Sequence, residues 1–415
     1  MRIAIVNWSS RRIGGVETYL NNVIPELSRA GHEISFFSEV DVPAERARIQ
    51  LPVDAATWCA ATMGTESALT ALKDWRPDMT YSHKLENPTL ERRIIGLAPS
   101  VFFAHDYNGT CISGAKSFKL PVIKPCHRRF GWQCLVHYFP HRCGGRSPIT
   151  MLKLYRTQAK RLANLRSYDA IVTHSNHMFE ELMNHGLSPQ HAYNFPYYVP
   201  NISSDRSAAF AWPSARSDNK CISDPNGDAE WRLLFSGRFE RLKGAHMLMS
   251  ALPRVAAILN KPLRIIFAGD GRERNSLERM AAQVRTERVR IEFTGWLRRI
   301  ELDKLLSESH LLIVPSLWPE PFGLVGPEAG KFGVPVAAFD VGGIRDWLSP
   351  GINGFLAPGS PPTSAGLAEA ITKCLQNRAT YGELRRGAVE VSQQFNIKNH
   401  LNALLRVFAN VTAVE

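Results

Sequence analysis

Two glutamates on either side of a short loop are the residues best suited to chemistry. The run PSLWPEPFGLVGPE, residues 315–328, follows an apolar run that ends at Val314 and leads into a helical pattern. Glu320 therefore lies in the loop and Glu328 in the first helical turn, with exposed backbone N–H groups between them. This arrangement suits a diphosphate flanked by a sugar and a ribose, because the two carboxylates can accept hydrogen bonds from the hydroxyls of the sugar and the ribose. The alternative is an ordinary first-turn glutamate at Glu328 and a solvated Glu320.

Two cations earlier in the same half of the chain are candidates for anion binding. Arg238 follows the apolar run LLF at residues 233–235, and Lys243 precedes a helical pattern that begins at Ala245. Both would lie at the carboxyl edge of a parallel sheet, where open α/β sheets bind ligands, and could neutralise a diphosphate. The alternative is that Arg238, Arg241 and Lys243 form a solvated turn.

Apolar runs alternate with helical patterns along the chain, which predicts an α/β fold with mostly parallel sheets. This series occurs twice, before and after a stretch rich in Ser, Asp, Asn and Pro at residues 201–230. We therefore predict two tandem Rossmann-like domains, 1–200 and 231–395, joined by a linker at 201–230, with a ligand cleft between them. Neither series has GxGxxG or GxxxxGKS/T after its first strand, which argues against a dinucleotide-dependent dehydrogenase and a P-loop nucleotidase.

The second half carries a long ordered series of motifs: SGR (236–238), KG (243–244), AGDG (268–271), TG (294–295), PS (315–316), EPFG (320–323), EA (328–329), GVPV (333–336), GG (342–343) and GINGFL (351–356). This series closely resembles family 4 of the retaining GT-B glycosyltransferases. The first half agrees more loosely, through GGVE at 14–17, the pair His105-Asp106 and Ser175. One departure is Asp346, where the family typically has a glutamate after the glycine pair.

The resemblance implies a GT-B fold, two Rossmann-like domains facing a central cleft, with the last helix, 396–415, packed on the first domain. It implies transfer of a sugar from a nucleoside diphosphate with retention, without a metal or other cofactor and without a protein base, because the leaving phosphate takes the acceptor's proton. By role it implies Arg238 and Lys243 at the diphosphate, Glu328 at the ribose, Glu320 at the transferred sugar, backbone amides around Phe322, Gly323 and Leu324 at the sugar and phosphate, Gly15 at the phosphates, and His105 at the donor sugar, facing the acceptor.

The net positive charge of the chain is concentrated in one segment of the sequence. The 415 residues, 44% hydrophobic and 21% charged, are typical of a globular chain of two domains. Fifty Lys and Arg against 38 Asp and Glu give a net charge of +12. The segment from Tyr107 to Tyr168 has no acidic residue and holds the whole excess. We predict that this segment contacts an anionic membrane surface or a lipid-linked diphosphate acceptor, with a solvated basic loop as the alternative; no motif favours nucleic acid.

The cysteines and the N-terminus indicate a cytosolic protein. Seven cysteines without a CxxC pair do not suggest a secreted disulfide framework, and no apolar run is long enough for a transmembrane helix or a signal peptide. We therefore expect a cytoplasmic protein, peripheral on the membrane if the basic segment docks there. Four cysteines of that segment are expected to be plain thiols, with a zinc site or a disulfide as the alternative: Cys111, Cys126, Cys134 and Cys143.

Together these features predict a metal-independent, retaining glycosyltransferase of the hexosyltransferase type. Its donor would be a UDP- or GDP-sugar and its acceptor a lipid-linked or carbohydrate hydroxyl, in the biosynthesis of cell-envelope polysaccharide or glycolipid. The alternative is a catalytically silent protein that binds sugar nucleotides or polyanions.

Overall fold

The computed structural model describes residues 1–12, 14–41, 47–199 and 230–413. The chain divides into two compact units, Met1–Ala115 with Arg128–Pro200 and Ile397–Glu415, and Lys116–His127 with Asn201–Asn396. The stretch Lys116–His127 thus groups with the second unit, whereas the sequence-based division placed it in the first; nothing in its composition separates it from its neighbours. Apart from Glu230, the predicted linker at 201–230 lies outside the described residues.

Strands and helices alternate through both units. The strands are β1 (Arg2–Ser9), β2 (Glu33–Val40), β3 (Ala56–Cys59), β4 (Met79–Lys84), β5 (Ser100–Phe103), β6 (Ser117–Phe118), β7 (Lys124–Pro125), β8 (Ala170–Thr173), β9 (Ala192–Asn194), β10 (Trp231–Ser236), β11 (Leu263–Ala268), β12 (Val289–Gly295), β13 (Leu311–Val314), β14 (Val336–Phe339) and β15 (Gly354–Ala357). The α-helices are α1 (Gly15–Arg29), α2 (Ala60–Met63), α3 (Thr65–Asp74), α4 (Pro88–Ile95), α5 (Gln133–Tyr138), α6 (Pro148–Leu165), α7 (Asn176–Asn184), α8 (Ala245–Leu259), α9 (Arg274–Val284), α10 (Arg299–Glu308), α11 (Val325–Gly330), α12 (Ser364–Leu375), α13 (Arg378–Gln393) and α14 (Ile397–Thr412).

Each unit is built on one parallel sheet. The first has seven strands in the order β3-β2-β1-β4-β5-β8-β9, and the second has six in the order β12-β11-β10-β13-β14-β15. All neighbouring strands within these two sheets are parallel, and β6 and β7 form a separate antiparallel pair. The predicted α/β fold with two Rossmann-like sheets is confirmed. In each sheet the strand order reverses beside the first strand, at β1/β4 and at β10/β13, and such a switch point leaves a crevice at the carboxyl ends of the strands.

The continuous apolar runs form strands that are covered on both faces. The side chains of β1 from Ile3 to Val6 have no exposed surface, as expected of a parallel strand between two helical layers. In the second unit an aromatic cluster of Phe235, Phe239, Phe267 and Phe293 packs beside the sheet with ring centroids 5.3–6.4 Å apart. No helix in the described part of the chain is long and apolar enough to cross a membrane.

Candidate functional site

In the second unit, the loops that leave β10 and β13 are packed tightly together at the switch point. Gly244 has a φ of +71°, and a Cβ at this position would lie 1.7 Å from the carbonyl oxygen of Pro315. The N–H of Leu317 donates to the carbonyl oxygen of Leu242 at 2.8 Å. Only glycine allows this close approach without strain, and the approach aligns the two predicted anion-binding loops side by side.

The side chains of Lys243 and Glu320 meet across these two loops. Lys243 Nζ donates to Glu320 Oε1 at 2.7 Å, and the hydroxyl of Ser316 donates to the same oxygen. Glu320 is only 5% exposed, so the alternative of a solvated loop residue is wrong for Glu320. Glu320 Oε2 accepts no hydrogen bond from any described residue and retains its capacity to accept from a hydroxyl.

The backbone of Glu320 is held by the glycine pair that follows β14. The N–H of Gly343 donates to the carbonyl oxygen of Glu320 at 2.7 Å. Gly342 has a φ of +59°, and a Cβ here would lie 2.3 Å from the same oxygen. The glycine pair at 342–343 therefore fixes the position of the Glu320 backbone, from which the carboxylate extends.

Aromatic side chains anchor the loop after Glu320, and two backbone N–H groups of this loop have no acceptor within the described chain. The side chain of Phe322 is buried and packs against Phe395, with ring centroids 5.6 Å apart. Trp347 Nε1 donates to the carbonyl oxygen of Phe322 at 2.6 Å. Among the described residues the N–H groups of Gly323 and Leu324 find no acceptor, and helix α11 begins directly after them. These two amides are thus available to an anion beside Glu320.

The other two predicted donor residues have different surroundings. Arg238 is exposed in the loop after β10. Glu328 lies in the first turn of α11, where its Oε1 accepts from Arg299 Nη1, and its side chain is 15% exposed. Arg299 also pairs with Asp303 at 2.8 Å, and burial beside Arg299 lowers the pKa of Lys331 to about 8. Arg299 was not predicted as a site residue, because it lies on a helix without a motif.

In the first unit, Gly15 is the first residue of helix α1, and the side chain of Glu17 caps the N-terminus of this helix. Glu17 Oε2 accepts from the N–H of Gly14 at 2.8 Å, and Asn7 Nδ2 donates to Glu17 Oε1 at 3.2 Å. A Cβ at Gly15 would have no heavy atom within 4 Å. The protein's own packing therefore does not require glycine at this position, and the space beside it is open to a ligand.

His105 lies after β5, as predicted, with both ring nitrogens bonded to protein groups. Its Nε2 is 2.8 Å from His83 Nδ1, and its Nδ1 bonds to the hydroxyl of Tyr197. Burial and the neighbouring imidazoles of His83 and His174 hold the pKa of His105 well below its ordinary value. The imidazole is therefore neutral, and a contact with a sugar requires the exchange of one of these bonds. Its role at the donor sugar stays a prediction.

A cluster of buried histidines and tyrosines surrounds His105, and most of it was not predicted from the sequence. Burial lowers the pKa of His83 and of His174 to about 3 and that of His400 to about 4. His400 Nε2 bonds to the hydroxyl of Tyr19 at 2.8 Å, which bonds in turn to that of Tyr81. His83 lies inside β4, one residue before its end, so it does not share the signal of His105, which follows a strand. His400 comes from α14 and also has no sequence signal.

The cysteines of the basic segment have local partners. Cys143 Sγ lies 3.7 Å from the carbonyl oxygen of His137, and Cys134 Sγ lies 3.9 Å from that of Arg129. In the part of the chain that the structure describes, no group of three or more His, Cys, Asp and Glu side chains is placed to hold a metal ion. The described surroundings of these thiols therefore do not contain the additional ligands that a zinc site would require.

Comparisons with known proteins agree with this architecture. The profile of the family "Glycosyl transferases group 1" matches residues 222–394, and that of "Glycosyltransferase Family 4" matches residues 13–195. The chain is 26% identical to a glycogen synthase of Mycobacterium tuberculosis over 94% of its length and 89% of the relative's. It is 33% identical to a D-inositol 3-phosphate glycosyltransferase of Catenulispora acidiphila over 42% of this chain and 43% of that protein.

Solved structures share the fold at low sequence identity. Anabaena HepE in complex with UDP superimposes with a TM-score of 0.65 at 17% identity, covering 99% of this chain and 100% of that one. Sucrose-phosphate synthase from Thermosynechococcus elongatus gives a TM-score of 0.65 at 19% identity, covering 100% of both chains. The two profiles together match most of the sequence, each on one of the two parallel-sheet units. The chain belongs to the group 1 glycosyltransferases and has the GT-B fold.

Proposed function

We propose that this glycosyltransferase moves a hexose from a nucleoside diphosphate sugar to a hydroxyl acceptor with retention at the anomeric carbon. The observation that carries the proposal is the cluster at the β10/β13 switch point, where Lys243, Ser316 and Glu320 are bonded together. Two backbone amides and the exposed Arg238 belong to the same pair of loops. This set offers positive charge and N–H donors for phosphates, and a carboxylate oxygen for sugar hydroxyls.

The cations are assigned to the leaving group. As the glycosidic bond breaks, negative charge builds up on the diphosphate, and donors held in place beforehand stabilise it most effectively. Arg238 can bind phosphate oxygens in a bidentate manner and Lys243 as a point charge. Because Lys243 already bonds to Glu320, an arriving diphosphate would share the ammonium with the carboxylate and couple the phosphate and sugar ends of the donor.

The carboxylates are assigned to hydroxyls rather than to nucleophilic attack. Glu320 has one oxygen occupied by Lys243 and Ser316 and the other available, which suits acceptance from a sugar hydroxyl. Glu328, oriented by Arg299, is assigned to the ribose. With the departing phosphate oxygen as acceptor of the proton, no protein base is needed. In the first unit, Gly15 is assigned to the donor phosphates and His105 to the donor sugar.

We further propose that catalysis needs no metal, because Arg238 and Lys243 supply positive charge at the diphosphate. The donor is proposed to be a UDP- or GDP-sugar, and the related structures of HepE that contain UDP and UDP-glucose support testing UDP-sugars first. A role in polysaccharide or glycolipid synthesis is proposed from the names of two relatives, a glycogen synthase and a protein of the cps region of Klebsiella pneumoniae.

Hydrolysis of UDP-, GDP- and ADP-sugars, with thermal shifts by the same ligands, tests the proposal. The matching donor should raise the melting temperature by mass action and be turned over equally well in EDTA. Arg238→Ala and Glu320→Ala should each reduce turnover at least tenfold, whereas Arg241→Ala, an exposed cation of the same loop that faces Glu273 at 3.7 Å, should not. If both variants keep wild-type activity, the site is elsewhere.

The test also distinguishes the enzyme from the silent alternative. A donor that stabilises the protein but is neither hydrolysed nor transferred to any added acceptor would point to a binding protein. Loss of activity in EDTA that Mg²⁺ restores would refute metal independence while leaving the assignment of Glu320 intact.

A further inference from the structure

Helix α6 of the first unit has an unusual distribution of side chains. Its inner face is held by polar contacts: Gln158 Oε1 accepts from the N–H of Gly109 at 2.6 Å, and Asn164 Nδ2 donates to the carbonyl oxygen of Pro88 at 2.8 Å. Its outer face carries Ile149, which is 80% exposed, and Leu152, which is 44% exposed. A helix that only closes a core would bury such apolar side chains and expose the amides, so the outer face is suited to a contact outside the chain.

Three cations continue the same face. Lys153, Arg156 and Lys160 are exposed and follow Ile149 at helical spacing, so that all lie along one side of α6. With the first turn of α4 they line a groove of about 420 Å³, and none of its lining residues is acidic. The apolar side chains thus occupy the N-terminal end of the face and the positive charges its remaining length.

Not every cation of the acid-free segment contributes to this surface. Lys116 is buried in the second unit. Arg161 donates to Asn108 and to the carbonyl oxygens of Leu85 and Glu86, and Arg166 donates to the carbonyl oxygen of His185 at 2.9 Å. The excess charge predicted from the sequence is therefore partly structural. Six further cations of the segment are also exposed: Lys119, Lys124, Arg128, Arg129, Arg142 and Arg146. The face of α6 differs from these in that its exposed cations share one side of a helix with two exposed aliphatic side chains.

We propose that this face of α6 docks on a membrane surface that contains anionic phospholipid. The cations would lie among the headgroup phosphates, while Ile149 and Leu152 insert at the boundary with the acyl chains. A nucleic acid would use the cations but gain nothing from two exposed aliphatic side chains, which is why the bilayer fits this face better. The docking does not depend on the proposed donor chemistry.

Co-sedimentation of the full-length chain with phospholipid vesicles tests the proposal. Wild type should bind vesicles of phosphatidylcholine with one third phosphatidylglycerol, and bind pure phosphatidylcholine at least tenfold more weakly. The triple variant Lys153→Gln, Arg156→Gln, Lys160→Gln should bind the anionic vesicles roughly 100-fold more weakly, since each engaged cation contributes about fivefold. High salt should remove most of this difference, because the charges act within a Debye length.

A control with the same net charge separates the surface from overall basicity. Arg378, Arg386 and Lys398 are exposed outside the basic segment, and their joint replacement by Gln should change binding less than twofold. Ile149→Ser with Leu152→Ser should weaken binding at least tenfold even in high salt. Donor hydrolysis without vesicles should be unchanged in the α6 variants, so a failure here is distinguishable from a failure of the proposed function.

Three outcomes would overturn the proposal. Equal binding of wild type to neutral and anionic vesicles would do so, as would an equal loss in the two triple variants. If duplex DNA binds as tightly as the anionic vesicles and loses affinity in the α6 variant, the face is a general polyanion surface. Circular dichroism and thermal unfolding confirm that each variant is folded.

Discussion

Gly15 offers a substitution that should stabilise the protein and yet impair it. A methyl group at this position meets no protein atom within 4 Å, so Gly15→Ala adds no clash within the fold. Alanine reduces the freedom of the unfolded chain and favours the helix, which should raise stability by about 0.5 kcal/mol and the melting temperature by about 1–2 °C. If the donor phosphates lie against this backbone, the methyl group displaces them by about 1 Å, and kcat/KM should fall roughly 100-fold, about 2.7 kcal/mol.

Gly382 provides the matched control. It lies inside helix α13, and a Cβ there would also have nothing within 4 Å. Gly382→Ala should raise stability by about 1 kcal/mol, because alanine is the better helix former, and leave the kinetics within twofold of wild type. Both variants are measured by thermal unfolding with and without the nucleotide, and by initial rates of donor hydrolysis.

Two results would refute this reasoning about Gly15. Wild-type kcat/KM and an unchanged stabilisation by the nucleotide in Gly15→Ala would mean that no donor phosphate approaches this turn. A variant that loses both activity and stability would mean that the open space beside Gly15 has been misjudged and that the loss is structural.

Three further predictions concern the donor loop and the buried histidines. Gly342→Ala should lower the unfolding free energy by at least about 2 kcal/mol in urea titrations, because φ is +59° and the new Cβ meets the Glu320 carbonyl oxygen. Ser316→Ala should lower kcat/KM at least tenfold, since Glu320 loses a hydroxyl donor. Ser307→Ala is the control and should not lower it, because the hydroxyl of the half-buried Ser307 donates to the carbonyl oxygen of Lys304 in helix α10. His83, His174 and His400 are neutral when folded but take up protons when unfolded below about pH 6.5, so their contribution to stability should be full above that pH. Below it these three should together remove up to about 4 kcal/mol per pH unit until pH 4, and His105, whose pKa is also lowered, adds to this loss. A flat stability between pH 6.5 and 5 would contradict the last prediction, and His400→Phe should reduce the slope by up to about 1.4 kcal/mol per pH unit, the share of one histidine.

The fold was readable from the sequence because buried parallel strands are continuous apolar runs. The run Ala170–Thr173 is strand β8 in the structure, and the run from Ile3 to Val6 is the buried part of β1. Strand ends are less visible, because polar residues such as Asn7 and Ser9 extend β1 without an apolar signal. The placement of Lys116–His127 could not be predicted, since it depends on contacts distant in sequence and not on local composition.

The candidate site was predictable as a set of residues but not as a set of contacts. Because the carboxyl ends of parallel strands meet at one edge, Arg238, Lys243 and Glu320 could be assigned to the same edge from their positions after strands. The bond between Lys243 and Glu320 joins residues 77 positions apart. It exists because β10 and β13 are neighbours in the sheet. The local pattern of apolar residues predicts strands but not their order in the sheet.

The hydrogen bonds around His105 depend on a single buried atom. Within the described chain, His83 Nε2 is buried and has no hydrogen-bond partner. A buried N–H without an acceptor costs more than a bare lone pair, so the proton of neutral His83 belongs on Nδ1, where it donates to His105 Nε2. His105 then carries its own proton on Nδ1 and donates it to the hydroxyl of Tyr197. The orientation and tautomer of His105 thus follow from a residue on the neighbouring strand, which no motif around His105 could have revealed.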